Sequence, residues 1–506
     1  MKTAPLLPLA DPRVEPERFD PLELARVSTL ADLYAERLRT SPQAEACHAY
    51  DARAEAWRAL TWSELAATAR RYAAGLRRAG LVAGERIAIQ VPNGPDWLAI
   101  DWAAHSLGLV TVGLFPDETP AGAARLLEDC EARLLITRDV ATWTALAECA
   151  RLPALRIVVP LKMSAPLEDR RLRAIDEFLK TDEPLSASPA TADSLATIVY
   201  TSGATGRPKG VMLSQHNLVS NLLAAQEALR IQAQEPVFSL LPLAHLFGRV
   251  AWAYVGIAAG AVLVFGRGPE YAREDLQLQR PTVLIGVPRM FERVHAALVK
   301  DLEEGSVTRR ALFRLAVEAG WAAQQKDASP LKVRLLPTVL ARRAGEALRT
   351  RLGGRVRLAV SGGASLSPQI GRVFIALGIP LLQGYGLTEA GPIVSVNRID
   401  DNDPASAGRA LSGVETRIAA SGELQVRGPS VMLGYWKDEA ATQAAIDDAG
   451  WLSTGDKVSR LDTDRVYLIG RIKELLITAT GEKASPSDIE SRLREFFKDK
   501  INEARL

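Results

Sequence analysis

The 506-residue sequence has few cysteines, little net charge and no long apolar run, and each lack excludes a class of protein. The cysteines Cys47, Cys130 and Cys149 are odd in number and show no C-x-x-C spacing, which argues against a disulfide framework and against a zinc site. We expect them to be buried thiols in a reducing compartment. A net charge of +2 points neither to nucleic acid nor to an anionic membrane as a partner.

The sequence also lacks a targeting segment and a membrane span. Its N-terminus has no sustained apolar core, so it does not resemble a signal peptide. The longest apolar run, Trp252 to Gly266, is shorter than the roughly 20 residues that a bilayer requires, and its pattern predicts a small-residue helix followed by a strand. We expect a soluble, cytoplasmic protein, with peripheral contact at the inner membrane and a homodimer both left open.

The first third of the sequence alternates helical and strand patterns. One helical pattern begins after Thr61, a candidate cap, and stops at Gly80, and further helical stretches separate strands such as ERIAIQ and ARLLIT. This order predicts an α/β fold with doubly wound, mixed or parallel sheets and helices on both faces. The charged stretch 161–193 predicts a surface connection, and the short strands from about residue 405 predict a small β unit.

Four of the predicted strands end in turns that carry glycine, histidine or hydroxyl groups. They are the strands that lead into YTSGATG, LPLAH, SGGAS and LQGYGLTE. In parallel sheets, ligands bind beyond the carboxyl ends of the strands. The recurrence therefore predicts one composite binding site that is built from all four turns.

The stretch TSGATGRPKG, which follows the first of these strands, has the composition of a phosphate-binding loop. Glycines let successive backbone N–H groups converge on an anion, and hydroxyls and a lysine add donors. It is not a Walker loop, because Gly210 follows Lys209 and the next residues predict a strand rather than a helix. A hairpin without a ligand is the alternative interpretation.

Seven stretches, from about residue 30 to the end, resemble the adenylate-forming superfamily of acyl-CoA synthetases, luciferases and peptide-synthetase adenylation domains. They are YTSGATGRPKG, LPLAHLFGR, SGGASLS, QGYGLTEAG, GELQVRGPSVMLGYW, GWLSTGD and GRIKELLITATGEKASPSDIE, in the order of that family. The versions in this sequence are most similar to bacterial long-chain fatty acid–CoA ligases.

The resemblance implies an enzyme that uses ATP and Mg²⁺ to convert a medium- or long-chain fatty acid into an acyl-adenylate and pyrophosphate. The acyl group would then pass to coenzyme A. Peptide-synthetase relatives carry an aspartate just after the position of His245, and the stretch HLFGRVAW contains no acidic residue. The resemblance therefore disfavours an amino acid as substrate. Two alternatives stay open: an acyl-AMP ligase that delivers to an acyl carrier protein, and a non-catalytic nucleotide-binding member.

The resemblance also implies a role for individual residues at the nucleotide. The phosphate loop would use Ser202, Gly203, Thr205, Gly206 and Lys209. The adenine slot would be formed by Gly363 and Ala364 on one side and by Gln383, Gly384 and Tyr385 on the other. Asp456 would bind the ribose, and Arg471 the ribose or a phosphate.

The remaining implied roles concern the metal, the reacting groups and the acid. Glu389 would bind Mg²⁺ with Thr201 as its hydroxyl partner, and Thr388 would bind the α-phosphate. His245 would orient the incoming carboxylate, and Leu246 and Arg249 would border the acyl pocket. His245, Lys209, Thr388 and Glu389 are therefore the catalytic candidates. For Glu389, Asp456 and His245 the alternative is structural: a helix-terminal charge, a turn residue and a packed histidine.

The sequence departs from the family pattern at two places. Ala204 stands where relatives have a hydroxyl residue, which removes one donor from the phosphate loop. Lys473 in GRIKE matches the hinge of the small C-terminal domain, and the late Gly-Lys motif expected after it is not found.

The domain organisation that we expect follows from this second departure. A large domain covers 1–470, with subdomains at about 30–193, 194–400 and 401–470. Residues 471–506 begin an α+β C-terminal domain that is truncated, either naturally or because the chain is a piece of a longer one.

Overall fold

The computed structural model describes residues 26–163, 169–185, 188–202, 207–324, 335–462, 465–472, 476–477 and 483–484. Within them lie a sheet of seven strands, a sheet of 13 strands and a two-stranded ribbon. In spatial order, the seven-stranded sheet consists of β18 (Gly434–Tyr435), β8 (Pro208–Ser214), β7 (Leu195–Ser202), β4 (Val110–Gly113), β3 (Arg86–Gln90), β5 (Leu134–Asp139) and β6 (Ile157–Lys162).

The larger sheet has a parallel centre and antiparallel ends. In spatial order, its strands are β16 (Glu415–Ile418), β17 (Glu423–Arg427), β19 (Leu452–Asp462), β20 (Arg465–Arg471), β15 (Arg409–Ala410), β14 (Ile393–Val396), β13 (Leu381–Gly386), β12 (Leu358–Ser361), β11 (Val283–Gly286), β9 (Pro236–Ser239), β10 (Val262–Phe265), β1 (Glu45–Asp51) and β2 (Ala56–Thr61). The strands from β13 to β1 run parallel to one another. The ribbon pairs β21 (Leu476–Ile477) with β22 (Lys483–Ala484).

Helices connect the strands of both sheets. They are α1 (Leu30–Thr40), α2 (Trp62–Arg78), α3 (Pro95–Ser106), α4 (Pro120–Cys130), α5 (Val140–Ala147), α6 (Ile175–Phe178), α7 (Gln215–Leu229), α8 (Val255–Ala259), α9 (Ala272–Gln279), α10 (Pro288–Glu303), α11 (Val307–Gln324), α12 (Leu335–Arg351), α13 (Pro368–Ala376) and α14 (Glu439–Ala445). A π-helix spans Gly248–Tyr254 and a 3₁₀ helix spans Thr388–Ala390.

Alternation along the strands places helices on both faces of each sheet. On β3, Ile87 and Ile89 join a core with α1, α2, α3, α7 and α8, and this core also contains strands of the larger sheet. Ala88 points to the opposite face, where α4 and α5 pack. On β11, Leu284 likewise faces an outer layer of helices, α9 to α13. The period of two along each strand thus produces five layers, with one helical layer between the two sheets.

The predicted α/β class is confirmed by this architecture. Strands β3 to β6 pair in parallel, as the alternating pattern predicts. The helix predicted after Thr61 begins there, because the Thr61 hydroxyl accepts from the Glu64 N–H while the Glu64 side chain accepts from the Thr61 N–H. The apolar run that begins at Trp252 forms a helix and then strand β10, with π-helical geometry at its start.

The described residues of the stretch 161–193 are mostly exposed or half-buried, as expected of a surface connection, and Leu172 and Phe178 are the buried ones among them. One local expectation is wrong. Among the cysteines, Cys47 and Cys130 are buried as expected, whereas Cys149 is exposed.

The sheets do not follow the predicted subdomain limits. Strand β1, from the first segment of the chain, pairs with β10 in the larger sheet, and β18 crosses from the small β unit to pair with β8. The other strands of the β unit, β15 to β17, β19 and β20, extend the larger sheet at one end. No helix in the described part of the chain is long and apolar enough to cross a membrane.

Candidate nucleotide and acid site

A cavity of about 800 Å³ lies at the carboxyl ends of the parallel strands, within the usual range of roughly 300–1,000 Å³ for small-molecule sites. Its walls include residues from all four of the turns that the sequence singles out. The candidate residues on these walls are Thr201, Lys209, His245, Gly363, Gly384, Tyr385, Thr388, Glu389 and Arg471.

The glycines after β12 shape one wall of this cavity. A Cβ on Gly362 would lie 2.7 Å from the Phe247 ring, so only glycine leaves room for this aromatic side chain. Gly363 has a φ of +81°, which is a left-handed conformation that glycine adopts without strain. The turn therefore presents bare backbone to the cavity.

Tyr385, Asp456 and Arg471 form a polar group beside that wall; Tyr385 and Arg471 line the cavity, whereas Asp456 lies outside its lining and contacts both. The Tyr385 hydroxyl donates to Asp456 Oδ2 at 2.7 Å, and Arg471 Nε lies 3.4 Å from Asp456 Oδ1. Burial, and then the charge of Asp456, raise the pKa of Tyr385 well above its ordinary value. Asp456 is nearly buried, with 7% of its surface exposed, so this is a carboxylate held in a fixed orientation.

Glu389 and Lys209 lie at another part of the cavity, and Tyr435 contacts both. The Tyr435 hydroxyl donates to Glu389 Oε1 at 2.9 Å, and Lys209 Nζ lies 4.7 Å from the centre of the Tyr435 ring. Thr201 and Thr388 line the same cavity. This part of the site thus combines a carboxylate, an ammonium group and two hydroxyl side chains.

His245 lies between the polar groups and an apolar wall. Its Nδ1 accepts from the Phe247 N–H at 3.1 Å, which places the proton of the neutral ring on Nε2. The imidazole is open to the cavity but enclosed by its walls, and burial, followed by the charge of Arg249, lowers its pKa. His245 is therefore a neutral hydrogen-bond donor at pH 7.

The other two residues expected at the acyl pocket, Leu246 and Arg249, do not line the cavity. Both side chains are fully buried. Arg249 donates through Nε to the Leu243 carbonyl at 3.0 Å and through Nη1 to Thr197 Oγ1 at 2.9 Å, and it stacks over Trp97. Its guanidinium is directed into the core because the chain enters the π-helix at Gly248, so Arg249 braces the loop that carries His245.

Two residues expected in the adenine slot also lie outside the cavity lining. Ala364 is exposed beyond the wall, and Gln383 is buried with 8% exposure. Gln383 Oε1 has no hydrogen-bond partner among the described residues. Gly203, Thr205, Gly206, Lys473 and the side chain of Ser202 lie outside the described residues.

The cavity has further walls whose residues were not among the predicted site residues. One is apolar and contains Ala225, Leu229, Phe247, Ala251, Val360, Ile393 and Val396. Tyr435 and Glu423 add polar groups elsewhere. Tyr435 lies in the stretch GELQVRGPSVMLGYW, which could have drawn attention to it, whereas the apolar residues carry no sequence signal beyond helix or strand periodicity.

The glycine- and alanine-rich stretch after the π-helix contributes to packing and not to the cavity. A Cβ on Gly256 would lie 2.5 Å from Leu263 Cδ2, so the helix and strand β10 are in close contact there. Residues 254–261 are absent from the cavity walls. Room for a ligand is instead provided by the side chains of α7 and the π-helix.

Comparisons with known proteins place the chain among nucleotide-dependent ligases. Residues 34–436 match the family described as AMP-binding enzyme. The chain is 33% identical to the long-chain-fatty-acid–CoA ligase FadD15 of Mycobacterium bovis, over 87% of this chain and 74% of that protein. It is 29% identical to the peroxisomal long chain acyl-CoA synthetase 6 of Arabidopsis thaliana, over 85% of this chain and 64% of that protein.

Solved structures agree with this family. ATP-bound MatB from Rhodopseudomonas palustris superimposes with a TM-score of 0.70 at 25% identity, over 92% of this chain and 83% of that one. The anthranilate CoA ligase AuaEII, in complex with anthranoyl-AMP, shares the fold with a TM-score of 0.73 at 20% identity, over 94% and 83% of the two chains. The chain belongs to the AMP-binding enzyme family.

Proposed function

We propose that the protein uses ATP to activate a medium- or long-chain fatty acid as an acyl-adenylate and then transfers the acyl group to coenzyme A. The observation that carries the proposal is the cavity, where polar groups suited to a nucleotide adjoin an apolar wall. The family of the chain supports the use of a nucleotide, and the long-chain ligases among its relatives support a fatty acid.

The nucleoside would occupy the part of the cavity around Tyr385. Its ring and the bare backbone of Gly363 offer flat surfaces to a base. The Asp456 carboxylate, which contacts Tyr385 and Arg471 next to the cavity lining, would accept from ribose hydroxyls. Arg471, at the edge of the same group, would contact the ribose or a phosphate. A carboxylate already held by two partners requires little reorganisation when the sugar binds.

The triphosphate would extend from there towards Lys209. The ammonium group offers a point charge for phosphate oxygens, and Thr201 and Thr388 offer hydroxyl donors on the same walls. Mg²⁺ fits this donor set, because it binds proteins through one or two carboxylates and completes its shell with phosphate oxygens and water. Glu389 would hold the ion with Thr201, and the bound ion would neutralise charge that develops on the pyrophosphate.

The carboxylate of the acid would lie beside His245, with the acyl chain along the apolar wall, to which α7, the π-helix and strands β12 and β14 contribute. The Nε2 proton of the neutral imidazole can donate to one carboxylate oxygen. The other oxygen would attack the α-phosphorus, so that an O–P bond forms and the bond to the pyrophosphate oxygen breaks. The residues act by orientation and electrostatic stabilisation, as is general for phosphoryl chemistry.

In the second half-reaction, the sulfur of coenzyme A would attack the acyl carbonyl. The C–S bond forms, the C–O bond to AMP breaks, and the thiol proton passes to solvent. The lysine hinge, Lys473, would belong to this step. An acyl carrier protein in place of coenzyme A is the alternative acceptor, and the assay must therefore separate the two.

The test is ATP–pyrophosphate exchange with a panel of saturated acids, followed by AMP release with coenzyme A or an acyl carrier protein. We expect exchange that requires the acid and is largest for medium or long chains, and AMP release that requires coenzyme A. Exchange without dependence on fatty acids would contradict the substrate class. Release with the carrier protein alone would establish the other acceptor.

Two variants test the assigned roles. Glu389→Ala should abolish exchange while the unfolding temperature stays close to that of the wild type, because Glu389 lies at the cavity surface. Lys209→Ala should weaken ATP binding by roughly 10-fold or more, as expected for a lost charge-assisted contact. Lys162→Ala, at the exposed end of β6, is the matched control and should behave as the wild type.

A further inference from the structure

The segment 429–436, which we call the bridging segment, is hydrogen-bonded to two neighbouring parts of the cavity wall. At one end, Asn217 Nδ2 donates to the carbonyls of Pro429 and Val431 at 2.8 and 2.9 Å. In the middle, the Met432 N–H donates to the Glu389 carbonyl at 2.9 Å. The bridging segment is thus attached to the backbone of the 3₁₀ helix that carries the candidate metal ligand.

The other end of the bridging segment pairs with the strand that carries Lys209. Gly434 is opposite Met212 in an antiparallel ladder, and the Trp436 N–H donates to the Gly210 carbonyl at 2.7 Å. Gly210 directly follows Lys209 in β8. One short stretch of chain is therefore bonded both to the 3₁₀ helix that carries the carboxylate and to the strand that carries the ammonium group.

Tyr435 is the side chain of the bridging segment that contacts both charged groups. Its hydroxyl donates to Glu389 Oε1, and its ring faces Lys209 Nζ at 4.7 Å. Within the described residues, this hydroxyl is the donor that the Glu389 side chain accepts from, and Oε2 is left for another ligand. The contact thus determines which way the carboxylate presents its second oxygen.

We propose that Tyr435 is a positioning residue for the Mg²⁺–ATP complex: it orients the Glu389 carboxylate for the cation and holds Lys209 for the phosphates. This rests on the proposed function. Metal-binding carboxylates are generally hydrogen-bonded by an outer partner, and loss of that partner weakens metal affinity by roughly 10- to 100-fold. The cation–π contact keeps the ammonium group beside the carboxylate without a direct ion pair, so that both remain available to the ligand.

A purely structural role for Tyr435 makes a different prediction. If the side chain only stabilised the ladder with β8, its replacement would lower stability and weaken nucleotide binding to the same extent with and without the cation. If Tyr435 is a positioning residue, its hydroxyl contact with Glu389 and its ring contact with Lys209 should have different effects. Loss of the hydroxyl should affect only the cation-dependent part of ATP binding, because the ring beside Lys209 is retained.

The experiment measures ATP affinity calorimetrically over a series of free Mg²⁺ concentrations and in EDTA, for the wild type and Tyr435→Phe. We expect the variant to require roughly 10-fold more Mg²⁺ for half of the cation-induced gain in ATP affinity. In EDTA its ATP affinity should equal that of the wild type. Tyr435→Leu, which also removes the ring, should in addition bind ATP more weakly in EDTA.

The control is Tyr72→Phe. Tyr72 lies on α2, away from the cavity, and its hydroxyl donates to Asp96 Oδ1 on α3 at 3.1 Å. It should bind ATP and Mg²⁺ as the wild type does. An unchanged Mg²⁺ requirement in Tyr435→Phe, with normal binding by the wild type, would overturn the role of Tyr435 alone. A wild-type protein that gains no ATP affinity from Mg²⁺ would overturn both this role and the proposed nucleotide site.

Discussion

Replacement of Arg249 by methionine should destabilise the protein by about 3–6 kcal/mol. The guanidinium is fully buried and donates to the Leu243 carbonyl at 3.0 Å and to Thr197 Oγ1 at 2.9 Å, with a longer contact of 3.4 Å to the Ala244 carbonyl. A hydrogen bond from a charged group contributes about 1.5–3 kcal/mol, and methionine leaves two well-placed acceptors without a donor.

The buried charge of Arg249 also supports Asp101. Burial alone would raise the pKa of this carboxyl, but His105, and after it Arg249 and the Tyr254 hydroxyl, hold the pKa below its ordinary value. When Arg249 is replaced, the carboxylate loses one of its stabilising charges. The loss adds to the broken hydrogen bonds, so the larger end of the range is expected near neutral pH.

The assay for this prediction is calorimetric unfolding of the wild type, Arg249→Met and Arg249→Lys. An unfolding entropy of about 2.1 cal/mol/K per residue gives about 1.1 kcal/mol/K for the 506 residues, so the methionine variant should unfold about 3–6 °C lower. Lysine keeps the charge but cannot span both acceptors, and its variant should be intermediate.

The second measurement on Arg249→Met is the rate of ATP–pyrophosphate exchange as a function of the fatty acid concentration. Because Arg249 braces the loop that carries His245, we expect the KM for the acid to rise together with the loss of stability. An unfolding temperature within about 1 °C of the wild type, combined with a raised KM for the acid, would refute the reasoning. Arg249 would then border the acyl pocket, as the sequence alone predicts.

Three further predictions concern the cavity itself. Asp456→Asn should raise the KM for ATP by roughly 10- to 100-fold, because a charged acceptor of about 1.5–3 kcal/mol is lost, while the Tyr385 hydroxyl keeps an oxygen partner and the unfolding temperature changes little. Burial lowers the pKa of His245 below its ordinary 6.5, so the unfolded chain takes up the proton first as the pH falls. The contribution of His245 to stability should therefore be constant above pH 6.5 and decrease below it. The kcat/KM for the acid follows the lowered pKa of the folded protein, so its decrease should begin at a pH lower than 6.5, and His245→Phe should lack this limb of the pH profile. Ala251→Phe should fill part of the space beside the apolar wall. It should lower the ratio of kcat/KM for long-chain acids to kcat/KM for medium-chain acids by roughly 10-fold or more, since each methylene in an apolar pocket contributes about 1–3 kcal/mol to discrimination.

The regular elements could be predicted from sequence because their signals are local. The capping residues of α2 and the alternation from β3 to β6 lie within short windows. The pairing of β1 with β10 could not be found in this way, because the partners are more than 200 positions apart and periodicity within a short window does not record which strands pair. The π-helix was missed for a related reason: apolar residues on all sides of a buried helix do not reveal its pitch.

The candidate site shows the same division. Residues in glycine-rich turns after strands, such as Gly363 and Thr388, could be singled out because strand ends of a parallel sheet meet at one edge. Tyr435 reaches Glu389 across 46 positions, and no local pattern records such a contact. Arginine is a residue type expected beside a ligand, but the direction of the Arg249 side chain depends on the backbone geometry after Gly248. Tertiary packing determines the contacts of Tyr435 and Arg249, so these contacts could be read only from the folded structure.

The central claim is that one nucleotide occupies the cavity, and a crystal structure with Mg²⁺ and a non-hydrolysable ATP analogue tests it most directly. The account predicts the base between Gly363 and Tyr385, the ribose hydroxyls on Asp456 and the triphosphate beside Lys209, with the cation on Glu389. A nucleotide bound outside the cavity, or one whose triphosphate lies away from Lys209 and Glu389, would contradict it.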